Sequence, residues 1–398
     1  MNLTYSIYFN KALKGKASEG CDVFGTTHHS TATRTGNMKH NWFSSTAGVA
    51  TVGGVIGVLA VLLQHWGNPP NMGICVACFE RDIAGGIGLH RAALVQYLRP
   101  EIMGFVLGAF LAAFLFKEFR PRGGSSPLVR YVLGVVAMIG ALVFLGCPWR
   151  VMLRLAGGDG NAIFGFLGLL AGVWIGALFF KNGYTLGKTS EQHAASGWIL
   201  PLVMIGLLAL RLIFQPIEGQ AQSGILWYSL KGPGAAHAPL YISLVISLVV
   251  GFLAQRSRFC TMGALRDVIL FRQMHLFSGL IALLAAALIM NLLLGSFKPG
   301  FIGQPVAHTQ ELWNFAGMVV AGLAFALAGG CPGRQLFLSG EGDSDAGLFA
   351  LGMITGAAIS HNFGLASSPD GIGPHGMAAV FIGLLISMAI GFGHLKRS

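Results

Sequence analysis

Uncharged apolar stretches long enough to cross a bilayer recur along almost the whole chain, and they constrain the fold more than any other feature. A hydrocarbon core about 30 Å thick takes roughly 20 apolar residues in helical form, and backbone polar groups there must be paired within the segment. Such runs occupy residues 44–64, 131–146, 160–180, 239–255, 276–297, 313–330, 346–366 and 375–393. Two weaker runs bring the expected spans to ten. Residues 101–116 are short and begin at Arg99-Pro100-Glu101, and residues 197–214 carry Arg211 near their end. Only 10% of the 398 residues are charged, against about 25% in a soluble domain, which excludes a soluble globular enzyme. The expected fold class is an all-α polytopic membrane protein. Glycine, at 58 residues, points to helices packed backbone to backbone and to broken helices.

A net charge of +11 would in another setting suggest nucleic acid. Here the basic residues fall in short segments between apolar runs, as the positive-inside rule describes. The segment 117–130 holds Lys117, Arg120, Arg122 and Arg130, the segment 181–196 holds Lys181 and Lys188, and Lys396 and Arg397 close the chain. The alternate connections, 215–238, 296–312 and 367–374, hold Lys231 and Lys298. Both termini are therefore expected in the cytoplasm, with residues 1–43 as a polar, basic tail and the first apolar run as a retained span. Six cysteines are too few for a disulfide scaffold. The single CxxC, Cys75 to Cys78, does not make a zinc pattern. No cofactor or metal is expected, and no GxxxxGK[ST] phosphate loop occurs.

The chain also matches itself. A shift of 184 lays Gly146-Cys147-Pro148-Trp149-Arg150 on Gly330-Cys331-Pro332-Gly333-Arg334 and Gly158-Asp159 on Gly342-Asp343, with 10 identities in 27 positions. A shift of 185 lays Cys75 on Cys260, Arg81-Asp82 on Arg266-Asp267, and His90 on His275. Two halves are expected, 44–214 and 239–398, joined by an external connection at 215–238. Five spans per half is an odd number, so the second half enters from the opposite side, as in the inverted repeats of transporters and channels.

Gly-Cys-Pro-x-Arg after an apolar run reads as a helix end, a turn and a short new helix with proline at its first position. The cysteine then stands at a helix amino terminus, where free N–H groups and the dipole favour an anion or thiolate. Four such re-entrant loops are expected to enclose a path lined by Cys75, Cys147, Cys260 and Cys331. A single cysteine in an apolar chain is by default a small buried hydrophobe; recurrence at equivalent positions is what argues for a role. Cys21 and Cys78 lack that support, since glycine stands at position 263. Arg150 with Asp159, and Arg334 with Asp343, are expected to pair and anchor their loops, because a charge at membrane depth needs a partner. The pairs Arg81-Asp82 and Arg266-Asp267 read either as anchors or as anion-attracting groups. His90 and His275 are expected at the interface.

The GxCxxxxxRD loop, which recurs as CxxxxxRD, the repeated GCPxR loops, the duplicated half and the span count resemble the YeeE/YedE sulfur-transport family, nearest its YedE-type branch associated with selenium. The resemblance covers about residues 44–394. It implies a bacterial inner-membrane, inverted-repeat pore that passes a small sulfur or selenium anion such as thiosulfate along Cys75, Cys147, Cys260 and Cys331. It also implies a small TusA-like sulfur carrier as a cytoplasmic partner. Cysteine at all four loops, with Cys78 in addition, departs from the thiosulfate branch and leaves the substrate open. A membrane thiol oxidoreductase using Cys75 and Cys78 is the main alternative. A purely structural subunit is disfavoured by the recurring Cys, Arg and Asp, and a soft-metal channel by the basic loops.

Overall fold

The computed structural model describes residues 42–396. Most of the expected tail, with Cys21, and the terminal Arg397 lie outside the described residues. The regular secondary structure of the described residues is helical apart from two short two-stranded ladders, Arg122–Gly123 with Ser190–Glu191 and Gln222–Ser223 with Leu226–Trp227.

Seven helices follow one another in the first half. They are α1 (Thr46–His65), α2 (Val76–Gly86), α3 (Pro100–Leu115), α4 (Pro127–Phe144), α5 (Pro148–Ala156), α6 (Asn161–Lys181) and α7 (Ala194–Ile213). Seven more repeat the order: α8 (Leu240–Ser257), α9 (Thr261–Phe271), α10 (His275–Leu293), α11 (Glu311–Ala328), α12 (Pro332–Gly340), α13 (Ser344–Asn362) and α14 (Gly376–Gly393). All ten apolar runs are helices, and α2, α5, α9 and α12 are the short helices of the cysteine loops. Among the described residues, eight segments are long and apolar enough to cross a membrane. The run at 197–214 is among them as α7 despite Arg211. The run at 346–366 is not: α13 carries Asp345 and His361 and is the more polar helix.

The two halves pack by exchange. Helix α1 lies along α10 and α8 along α3; α4 lies along α13 and α11 along α6. If each helix is replaced by its equivalent seven places on, every pair maps onto its partner pair, which is the signature of a pseudo-two-fold axis. The equivalent helices α4 and α11 also touch each other. They run antiparallel: His308, before α11, donates to the carbonyl of Val143 near the end of α4 (2.8 Å), and Arg130 in the first turn of α4 donates to the carbonyl of Ala328 at the end of α11 (2.8 Å). The last helices break the symmetry, because α7 packs on α3 whereas α14 packs on α4 and α11.

Glycine makes the exchanged pairs possible. A methyl group on Gly53 would fall on the carbonyl oxygen of Gly279, and one on Gly168 on that of Phe315. Contact this close is how helices associate where lipid offers no hydrophobic gain. The outward faces of α7 and α14 carry exposed apolar side chains such as Leu202, Ile205, Phe381 and Leu385. A ring of this kind suits the hydrocarbon of a bilayer, and the molecule is a multi-pass membrane protein.

Candidate functional site

All four repeat-related cysteines occupy the N-cap of a short helix: Cys75 of α2, Cys147 of α5, Cys260 of α9 and Cys331 of α12. The turn that delivers Cys147 and Cys331 is the same in both halves. Leu145 and its equivalent Gly329 take left-handed backbone angles (φ 65° and 85°) and end α4 and α11. Glycine adopts that conformation freely, whereas leucine pays roughly 1–3 kcal/mol for it. Proline then opens the next helix where its missing N–H is not needed. In α2 and α9 the sulfur itself caps: the backbone N–H of Cys78 donates to Cys75 Sγ (3.3 Å), and that of Gly263 to Cys260 Sγ (3.2 Å).

The cysteines form two buried groups. In the first, the thiols of Cys75 and Cys78 are 2.7 Å apart and the Cys147 thiol sits against Cys75. Cys78, which repeat logic left out, is thus part of the group. In the second, Cys331 sits against Cys260. Five free cysteines, all buried, are found among the described residues.

The expected Arg–Asp anchors are corrected by the structure. Asp159 pairs with Arg154 (2.6 Å), not Arg150, and Asp343 pairs with Arg122 (2.9 Å), not Arg334. Arg150 instead donates to backbone carbonyls: Leu145, Asn71 (3.2 Å), Pro305 (3.3 Å) and Val306 (3.2 Å). Its Nη1 lies 3.9 Å from Cys78 Sγ. Its charge therefore stands beside the first cysteine group with no carboxylate on it among the described residues. Arg334 reaches Glu341 (3.4 Å), which also receives Arg122 (3.3 Å) and Arg258 (2.8 Å), and it lies within electrostatic reach of Cys260. Arg122 and Arg258 also hold Asp343 and Glu118, so Arg334 is the charge that stands beside the second group.

The adjacent pairs do form, Arg81 with Asp82 (2.7 Å) and Arg266 with Asp267 (2.8 Å). Arg99, which sequence reasoning passed over, joins Asp82 (2.8 Å). His90 lies on the loop after α2. It is buried, its ring nitrogen donating to the Arg81 carbonyl (3.0 Å), with its ring 4.5 Å from that of His361. His275, half-buried at the start of α10, bonds to Thr46 (3.0 Å).

Two further side chains of the site were missed. Trp149, two residues past Cys147, is buried with its indole N–H unpartnered among the described residues, and Glu80 is buried near Cys147 with one carboxyl oxygen likewise unpartnered. Both stand where the other half has a residue without polar groups, Gly333 and Leu265. Departure from the repeat was the available signal.

Residues 256–391, which carry α9, α12 and the second cysteine group, match the model of a family described as sulphur transport. That match covers about a third of the chain, in its second half. The thiosulfate transporter TsuA of Spirochaeta thermophila is 32% identical over 112 residues, which is 28% of this chain. The match spans about 33% of TsuA's own length. Both similarities are to transport proteins.

Proposed function

We propose that the protein carries a small sulfur-containing anion, thiosulfate or a selenium analogue, across a bacterial inner membrane. The anion passes from the group of Cys75, Cys78 and Cys147 to the group of Cys260 and Cys331. The observation that carries this reading is the placement of all four repeat-related cysteines at helix amino termini in two buried groups, each with an arginine beside it. Thiosulfate has hard oxygens that suit N–H and guanidinium donors and a soft terminal sulfur that suits a thiol. Contacts of that kind are weak and repeated, as conduction requires, since the ion must leave each station as readily as it enters.

In this proposal the halves are 44–214 and 239–398, both termini are cytoplasmic and 215–238 lies outside. The basic segments 117–130 and 181–196 would then face the cytoplasm, where a TusA-like carrier could receive the sulfur. Arg81, Asp82, Arg266 and Asp267 hold the short helices, as do Arg154 with Asp159 and Arg122 with Asp343. Arg150 and Arg334 attract the anion.

The 2.7 Å approach of Cys75 and Cys78 favours one second reading, thiol–disulfide exchange. Uptake of labelled thiosulfate into vesicles holding the purified protein, competed by selenite and by sulfate, tests the transport reading. Saturable uptake reduced by selenite and spared by sulfate is expected. Absence of uptake, together with a reversible Cys75–Cys78 disulfide, would favour exchange instead.

A further inference from the structure

One aromatic side chain of the first cysteine loop region reaches across to the second half. Trp149 on α5 is 1% exposed. Its ring meets Phe105 of α3 (centroids 5.8 Å apart), Phe337 of α12 (5.9 Å) and Phe259 (6.0 Å), the residue directly before Cys260. A Cβ on Gly333 would come within 2.9 Å of its Cζ2. Positions 149 and 333 are equivalents under the repeat. A residue that touches its own equivalent lies close to the pseudo-two-fold axis, so Trp149 stands where the two halves meet. It also explains the glycine: two tryptophans cannot share the axis, and a side chain at 333 would displace the one that is there.

The same ring carries a buried donor with no acceptor. Trp149 Nε1 has no hydrogen-bond partner among the described residues, whereas buried tryptophan N–H groups nearly always find one. An N–H left without an acceptor is a standing cost that a passing oxyanion would relieve. Cys147 is two residues before this ring, Cys331 two residues before the glycine it covers, and Phe259 leads straight into Cys260. A path between the two groups through the centre meets the indole.

We propose that Trp149 is the central gate of the path and that its indole N–H donates to an oxygen of the anion midway between the two cysteine groups. The inference rests on the transport reading, and the test separates the two. Labelled thiosulfate uptake is measured in vesicles for the natural protein, Trp149→Phe and Gly333→Ala, with labelled tetrathionate as a larger probe for Trp149→Ala. No uptake by the natural protein would refute the transport reading itself. Trp149→Phe keeps an aromatic wall and loses the donor. Its KM for thiosulfate should rise about ten- to a hundredfold, the size of one hydrogen bond to a charged group, while its thermal midpoint stays close to that of the natural protein. An unchanged KM would overturn the donor role. Trp149→Ala should admit tetrathionate that the natural protein excludes, and continued exclusion by a folded variant would overturn the gate. Should that variant fail to fold, Gly333→Ala decides the same point. Its methyl crowds the ring and should slow thiosulfate uptake, and an unaltered rate would refute the gate.

Discussion

Asp159 and Asp343 are equivalent residues, and the structure predicts that neutralising them has unequal consequences. The pair Arg154–Asp159 is wholly buried, 0% exposed on both sides, with the atoms 2.6 Å apart. Asp159 Oδ1 also accepts from the backbone and side-chain nitrogens of Asn161 (both 2.9 Å). An asparagine keeps those acceptors and removes the charge, so Arg154 is left with the Phe144 carbonyl (2.8 Å) and the face of its ring (4.1 Å). Breaking a buried pair from one side costs about 3–5 kcal/mol. Asp343 is 11% exposed and its partner Arg122 24%, and Arg122 keeps Glu341 at 3.3 Å when Asp343 is neutralised. Asp343 also caps α13 by accepting from the N–H of Ala346 (3.0 Å), a task asparagine performs equally well. Asp343→Asn should therefore cost roughly 0–1 kcal/mol. Thermal unfolding of both variants in detergent would show it, with Arg154→Met added to Asp159→Asn expected to recover part of the loss. Equal destabilisation by the two aspartate changes, or a neutral Asp159→Asn, would refute the reasoning.

Two further predictions concern packing and pH. In α1, Gly53→Ala puts a methyl on the Gly279 carbonyl, whereas Gly54→Ala meets nothing within 4 Å among the described residues. The first should markedly lower the yield and thermal midpoint, and the second should match or exceed the natural protein, because alanine is the better helix former by about 1 kcal/mol. In the segment after α3, burial pushes the Glu118 carboxyl up, but hydrogen bonds from Gln255 and Arg256 (both 2.8 Å) and the charges of Arg258 and Arg256 outweigh it. Its pKa lies below the usual carboxylate value, so its contribution to stability is present above that value and is lost as pH falls through the lowered one. Unfolding midpoints from pH 7 to pH 3 should show an acid-side loss that is smaller in Glu118→Gln, and parallel curves would count against it.

The helices were legible because lipid leaves little choice. Residues 160–180 became Asn161–Lys181, and 375–393 became Gly376–Gly393. Ends slipped where charge and polarity mislead. Helix α4 begins at Pro127, ahead of the apolar run, because Arg130 in its first turn finds Ser125 and Ala328 to bond. The cysteine N-caps were legible as well, since Gly-Cys-Pro encodes a turn and a new helix. The ion pairs were not. Arg150 and Asp159 recur nine residues apart in both halves as Arg334 and Asp343, but shared spacing is not contact. Asp159 is taken by Arg154, whose equivalent is Leu338, and Asp343 by Arg122 from another loop. Repeat logic finds what the halves share, and for the same reason it passes over Trp149, Glu80 and Cys78, where they differ.

The central claim is that the anion is handed from one cysteine group to the other, so that each group is needed. The most direct measurement is the initial rate of labelled thiosulfate uptake into vesicles by Cys147→Ala and Cys331→Ala beside the natural protein, at matched amounts of folded protein. Both cysteines are buried and small, so alanine removes the sulfur with little loss of packing. The account predicts that either change alone abolishes uptake while the thermal midpoint stays nearly unchanged. Uptake at the natural rate by both variants would contradict it and leave the cysteines as buried hydrophobes.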